Sequence, residues 1–78
     1  MKRFYIDAVE ADGIKFLVGP FPNESMARKR EIEVVEFAMN NGHMSPFSDF
    51  GVCSIGGGYA APGKLNRFFE FAAGELIA

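Results

Sequence analysis

Gly58-Tyr59-Ala60-Ala61-Pro62-Gly63-Lys64 has the spacing G-x-x-x-x-G-K of a phosphate-binding loop. That chemistry needs a strand before the loop, a helix after it, and a Ser or Thr behind the lysine to hold Mg²⁺. Leu65 stands at that place, and the residues after Lys64 are too few to add a strand with a second acidic ligand. Gly56-Gly57-Gly58-Tyr59-Ala60-Ala61 also resembles the start of a dinucleotide fingerprint. Pro62-Gly63 interrupts the helix that should follow, and the acidic residue expected about 20 positions on has no chain to sit in. The stretch therefore reads as a glycine turn joining a strand to a helix, and no cofactor is expected. The one ligand use left to it is capture of a simple anion by free N–H groups at the helix start.

The single histidine, His43, and the single cysteine, Cys53, fall short of the three or four ligands that a metal site takes. A Cys–His nucleophilic pair would need Cys53 exposed, yet it sits mid-strand among apolar neighbours and reads as a small buried hydrophobe. Asp7, Glu10 and Asp12 are close enough in sequence to work as an acid–base pair. With nothing else marking a pocket, they read as surface acids. No catalytic constellation is complete, and the chain is not expected to be an enzyme.

The elements that must carry these residues follow from periodicity. Phe4, Ile6 and Ala8 alternate with Tyr5, Asp7 and Val9, which is the period of a half-buried strand. Ile14, Phe16 and Val18 alternate with Lys15 and Leu17 in a second strand, and the two form a hairpin. A two-residue Asp12-Gly13 loop would pair Ala11 with Ile14. A three-residue Ala11-Asp12-Gly13 loop would pair Glu10 with Ile14 and put Phe4, Ile6, Ala8, Ile14, Phe16 and Val18 on one face. The second register is the expected one, because it gives a single apolar face.

Asn23 is placed to cap a helix from Glu24 to about Asn40, with Asn41-Gly42 as its stop. Ala27, Val34 and Ala38 form one stripe of it, flanked by Met26 and Phe37. Ile32, Val35 and Met39 form a second apolar strip that one flat sheet cannot also cover. Either the C-terminal segment covers it, which is the expected arrangement, or a partner or second copy of the chain does. After a loop containing Pro46, Phe47 and Phe50, Gly51–Ile55 reads as a short third strand. Lys64–Leu76 reads as a helix with Leu65, Phe68, Phe69, Ala72 and Leu76 on one face. The fold class is therefore α+β, a two-layer ββαβα arrangement: hairpin and third strand against one main helix, with a short C-terminal helix.

The chain has 78 residues, enough for one small domain over 1–78. At 49% hydrophobic and 23% charged, with nine Phe, it is too apolar for a disordered tail, and one cysteine excludes a disulfide scaffold. It shows no membrane-length apolar run and no signal peptide, so a cytoplasmic protein is expected. The net charge is −2, and the short basic run Arg28-Lys29-Arg30 is followed at once by Glu31, Glu33 and Glu36. No direct nucleic-acid binding is expected from so balanced a surface.

Val18-Gly19-Pro20-Phe21 running into Asn23-Glu24-Ser25-Met26-Ala27, together with Pro62-Gly63-Lys64-Leu65-Asn66-Arg67, resembles elements of short bacteriophage and prophage proteins. The Gly-Pro-Phe turn is also similar to one in peptidoglycan-binding SPOR domains, whose strand-helix-strand repeat is not matched. Small acidic α+β proteins of the first kind include anti-CRISPR inhibitors. The resemblance implies a phage-encoded, non-enzymatic inhibitor acting by protein–protein contact on a host protein or ribonucleoprotein with a basic surface. The expected contact residues are Asp7, Glu10, Asp12, Glu33 and Glu36, or alternatively the aromatics Phe47, Phe50 and Tyr59. The rival expectation is a structural or assembly homodimer built on Ile32, Val35 and Met39.

Overall fold

A computed structural model of the chain describes residues 2–43, 48–56, 61–71 and 74–76. The alternating residues at the start form strand β1 (Arg3–Glu10), and β2 (Gly13–Phe21) turns back against it. A third strand, β3 (Asp49–Ile55), pairs antiparallel with the other side of β1, giving the order β2-β1-β3. One helix, α1 (Glu24–Asn40), packs on one face of this sheet. The α+β two-layer class is as the periodicity indicates. Among the described residues no helix is long and apolar enough to cross a membrane.

The hairpin register differs from expectation. The loop is Ala11-Asp12, and Glu10 pairs with Gly13, Val9 with Ile14 and Asp7 with Phe16. Two irregularities then each add a residue on β2, so that Ile6 pairs with Val18 and Phe4 with Phe21. An inserted residue reverses which face the following side chains occupy. Ile14 and Phe16 therefore share the face of Tyr5 and Asp7, turned away from α1, and Ile14 is 57% exposed. Past the first irregularity, Leu17 and Val18 are both fully buried against Ile6, Ala8, Ala27, Val34 and Ala38. The bulge wins because it buries two large consecutive side chains, each worth roughly 1.5–3 kcal/mol; strict alternation would bury one.

Helix α1 begins where the Asn23 side chain accepts a hydrogen bond from the Met26 N–H at 2.9 Å, satisfying one of the orphan donors. It ends as the Asn41 backbone and side-chain N–H groups both donate to the Phe37 carbonyl, at 3.0 and 2.9 Å. Ala27, Val34 and Ala38 are its buried residues.

Among the described residues the expected C-terminal helix is reduced to one 3₁₀ turn, Asn66–Phe68, after which Phe69 is extended. The reason lies in Phe69 and Phe71. In an extended chain residues two apart point the same way, whereas in a helix they diverge. Both rings pack on the core: Phe71 meets Phe21 edge-on at 6.1 Å, and Phe69 meets Phe37 at 5.1 Å.

Residues 63–65 run along the outer edge of β2. The N–H groups of Gly63, Lys64 and Leu65 donate to the carbonyls of Gly19, Phe16 and Leu17 at 3.2, 2.9 and 2.7 Å. The approach is close enough to require glycine, since a Cβ on Gly63 would lie 2.6 Å from Val18 Cα. Tyr5, fully buried on the face away from α1, donates its hydroxyl to the Ala61 carbonyl at 2.8 Å.

Candidate functional site

The same segment that seals β2 carries Lys64 and Arg67 to the side of the molecule where Lys15 emerges from β2. His43, just past the end of α1, completes the group. Together with Leu17, Leu65 and Phe68 they line a cleft of about 240 Å³. In a chain with a net charge of −2, three of the eight Lys and Arg residues and the only histidine meet around one cavity.

Lys15, Arg67 and His43 are each held by a specific contact. Lys15 Nζ lies 2.9 Å from Glu10 and 4.0 Å from Asp12. The hydrogen bond to Glu10 raises the Lys15 pKa. The bonds from Lys15 and Ser48, in that order, lower that of Glu10. The Arg67 guanidinium lies 4.8 Å from the centre of the Phe68 ring, a cation–π distance. His43 stacks on Phe37 at 5.6 Å with the rings 15° apart, and touches Phe68 at 5.2 Å. Phe68 stays 42% exposed. Lys64 faces Glu10 only through space, and among the described residues neither Lys64 nor Arg67 has an ion-pair partner. Their charges are therefore available to a ligand. Such an arrangement suits an anionic group lying against an apolar ring.

The phosphate-loop reading takes a different form here. The N–H groups of Gly63, Lys64 and Leu65 are engaged by β2, and among the described residues no α-helix follows them. Those N–H groups are therefore not free to capture an anion. Gly57–Ala60, including Tyr59, lie outside the described residues, as does Phe47.

The acidic contact residues are not brought together. Asp7 does not project from the hairpin end; it is only 7% exposed, on the sheet face away from α1. Its position follows from the register, which pairs it with Gly51 and Phe16. Burial, and then the hydrogen bond to Asp7, push the Cys53 thiol up to about 12. Cys53 and His43 form no nucleophilic pair, since the histidine stacks on Phe37 and the thiol is tied to Asp7. Glu10 is half-buried and tied to Lys15 and Ser48; Asp12 is exposed at the turn. Glu33 and Glu36 are exposed on α1, with Glu33 paired to Arg30 at 2.6 Å. Phe50 packs against the core. Among the described residues no three of His, Cys, Asp and Glu come together to hold a metal ion.

Sequence reasoning missed this cleft because its cations come from positions 15, 64 and 67 and its histidine from 43, which no linear spacing joins. The one local signal was Lys64 and Arg67 three residues apart, one 3₁₀ turn. Comparison with protein-family models, curated proteins and solved structures gives no match, so the site is read from its own geometry.

Proposed function

We propose that this chain is a non-enzymatic binding protein that engages a partner by seating an anionic group, a phosphate or a carboxylate, in the Lys15–Lys64–Arg67 cleft. The observation that carries the reading is the convergence of these cations on one cavity beside the exposed ring of Phe68. A host protein or ribonucleoprotein is a partner of this kind, and inhibition of a nucleic-acid-handling complex is the form of activity in keeping with the phage-like resemblance. The polarity is opposite to the acidic surface expected from the sequence. Asp7 is buried, and Glu10, Asp12 and Glu33 are already paired, which leaves Glu36 alone of the five expected acids.

The test is an NMR titration of the labelled protein with inorganic phosphate and pyrophosphate. Shifts confined to Lys15, His43 and Lys64–Phe68, weakened by salt and lost in Lys64→Glu/Arg67→Glu, support the reading. Saturating anion that moves no resonance in this region overturns it.

A second reading, self-association through Ile32, Val35 and Met39, is favoured by a separate observation. Ile32 is 74% exposed and Met39 37% exposed, so the described residues of the C-terminal segment do not cover the strip as expected.

A further inference from the structure

We infer that a second copy of this chain docks on one continuous surface made of the outer edge of β3 and the Ile32–Val35–Met39 strip of α1, giving a two-fold dimer with a six-stranded sheet. The inference rests on the second reading above and adds the sheet to it.

The helix itself shows that strip and edge adjoin. With 3.6 residues per turn, and with Ala27, Val34 and Ala38 facing the sheet, Arg30, Glu33 and Phe37 fall on one flank of α1. Val35, Met39 and Ile32 fall on the other. The first flank is covered: Arg30 bonds Glu75 and lies 5.2 Å from the Phe71 ring, and Phe37 meets Phe68 and Phe69. The covering segment arrives from β2, where Leu65 and Asn66 are bonded to Leu17 and Gly19, and Phe71 meets Phe21 at the end of β2. The covered flank is thus the β2 flank, and the open one overhangs β3.

The two edges of the sheet are also treated differently. The β2 edge is sealed by residues 63–65. Among the described residues nothing pairs with the outer edge of β3. Its sequence, DFGVCSI, holds no lysine, arginine or proline, the residues that usually guard an open edge.

Charge selects a second copy as the occupant. A two-fold axis at Val52 pairs β3 with itself antiparallel, setting Val52 opposite Val52 and Ile55 opposite Asp49 of the second copy. Arg3 is the neighbour of Ile55 on β1. That Asp49 therefore falls in the same row and on the same face as Arg3, two strands away. The separation is about 10 Å between Cα atoms, which an arginine and an aspartate side chain span between them. Arg3 has no ion-pair partner among the described residues; the second copy supplies one. The same axis sets the two α1 helices antiparallel, strip facing strip.

The experiment is sedimentation equilibrium of the full chain with Ile32→Glu, Asp49→Lys, Arg3→Glu and the double exchange Arg3→Glu/Asp49→Lys, folding being checked by circular dichroism. Within one copy Arg3 and Asp49 lie at opposite ends of the β1–β3 ladder, about 20 Å apart, so coupling between them must pass between copies. The expected result is a dimer weakened roughly tenfold or more by each single change and restored by the double exchange. A wild-type chain that stays monomeric overturns both the second reading and this inference. A dimer lost in Ile32→Glu but indifferent to the Arg3 and Asp49 changes overturns the β3 pairing alone and leaves a helix-only dimer.

Discussion

Asn66 and Gly19 exchange two hydrogen bonds across 47 residues of sequence: the Gly19 N–H donates to Asn66 Oδ1 at 3.0 Å, and Asn66 Nδ2 donates to the Gly19 carbonyl. The amide side chain thus imitates a neighbouring strand at the point where β2 is irregular. Gly19 has no room for a substitute, since a Cβ there would lie 2.5 Å from the Tyr5 ring. Asn66 is the one side chain that satisfies both backbone groups of this glycine, and it fixes the segment carrying Lys64 and Arg67.

Asn66→Ala leaves the Gly19 N–H without its acceptor, while the Gly19 carbonyl keeps the Gly63 N–H. A loss of about 1–3 kcal/mol in unfolding free energy is expected for the group left unsatisfied, read from urea denaturation. Asn66→Asp, which keeps the acceptor and loses the donor, should fall between wild type and alanine. Equal stability of all three would show that the exchange contributes nothing.

Gly63→Ala drives a methyl group into the Leu17–Val18 backbone, with approaches of 2.6 Å to the Leu17 carbonyl oxygen and Val18 Cα. Neither is the flexible end of a side chain, so the segment must move off β2. Overpacking of this kind costs typically 1–3 kcal/mol. Faster amide exchange at Lys64 and Leu65, whose N–H groups bond Phe16 and Leu17, is the specific signature.

Cys53 gives a pH-dependent outcome. Its folded pKa of about 12 stands above the ordinary thiol value, through burial first and the Asp7 hydrogen bond second. The folded state therefore holds the thiol proton more tightly than the unfolded chain does. This contribution to stability is fully present below the unfolded thiol pKa of about 8.5 and is lost as pH rises from there through 12. Alkylation near pH 8 should be slow in the native protein and faster in Asp7→Asn, which removes the charge while keeping the shape. Equal alkylation rates would remove Asp7 from the account.

Arg30→Ala should separate the C-terminal segment from α1 without unfolding the helix. The hydrogen bonds to Glu75, and then Glu33, hold the Arg30 pKa above its ordinary value. Both nitrogens facing Glu75 are part-buried, so the pair is worth more than an exposed i,i+3 contact. Limited proteolysis should cut the variant within 69–76 while circular dichroism at 222 nm keeps the helical signal. An unchanged cleavage rate would assign the docking of this segment to its phenylalanines alone.

Much of the architecture was legible in the sequence, since three of its four regular elements have clean periods and α1 has an explicit cap at Asn23 and stop at Asn41. The hairpin register was not, because alternation predicts one face and cannot foresee that burying both Leu17 and Val18 favours an added residue. Nor was the C-terminal stretch, whose spacing of Leu65, Phe68 and Phe69 fits a helix until Phe71 competes for the same core. The cleft was hidden for a third reason: its charges converge only through pairing of residues 63–65 with β2, a contact of long sequence separation that leaves no local pattern.

The seal on β2 also sets an order of events during synthesis. The hairpin and α1 are made first and can form from local contacts. Until residues 61–66 emerge from the ribosome, the N–H groups that bond the Phe16, Leu17 and Gly19 carbonyls, and the Ala61 carbonyl that takes the Tyr5 hydroxyl, are not yet in place. Closure then waits on a loop spanning most of the chain, a slow kind of contact to form. A nascent chain paused before Ala61 accordingly has an open strand, the state most exposed to pairing with another chain.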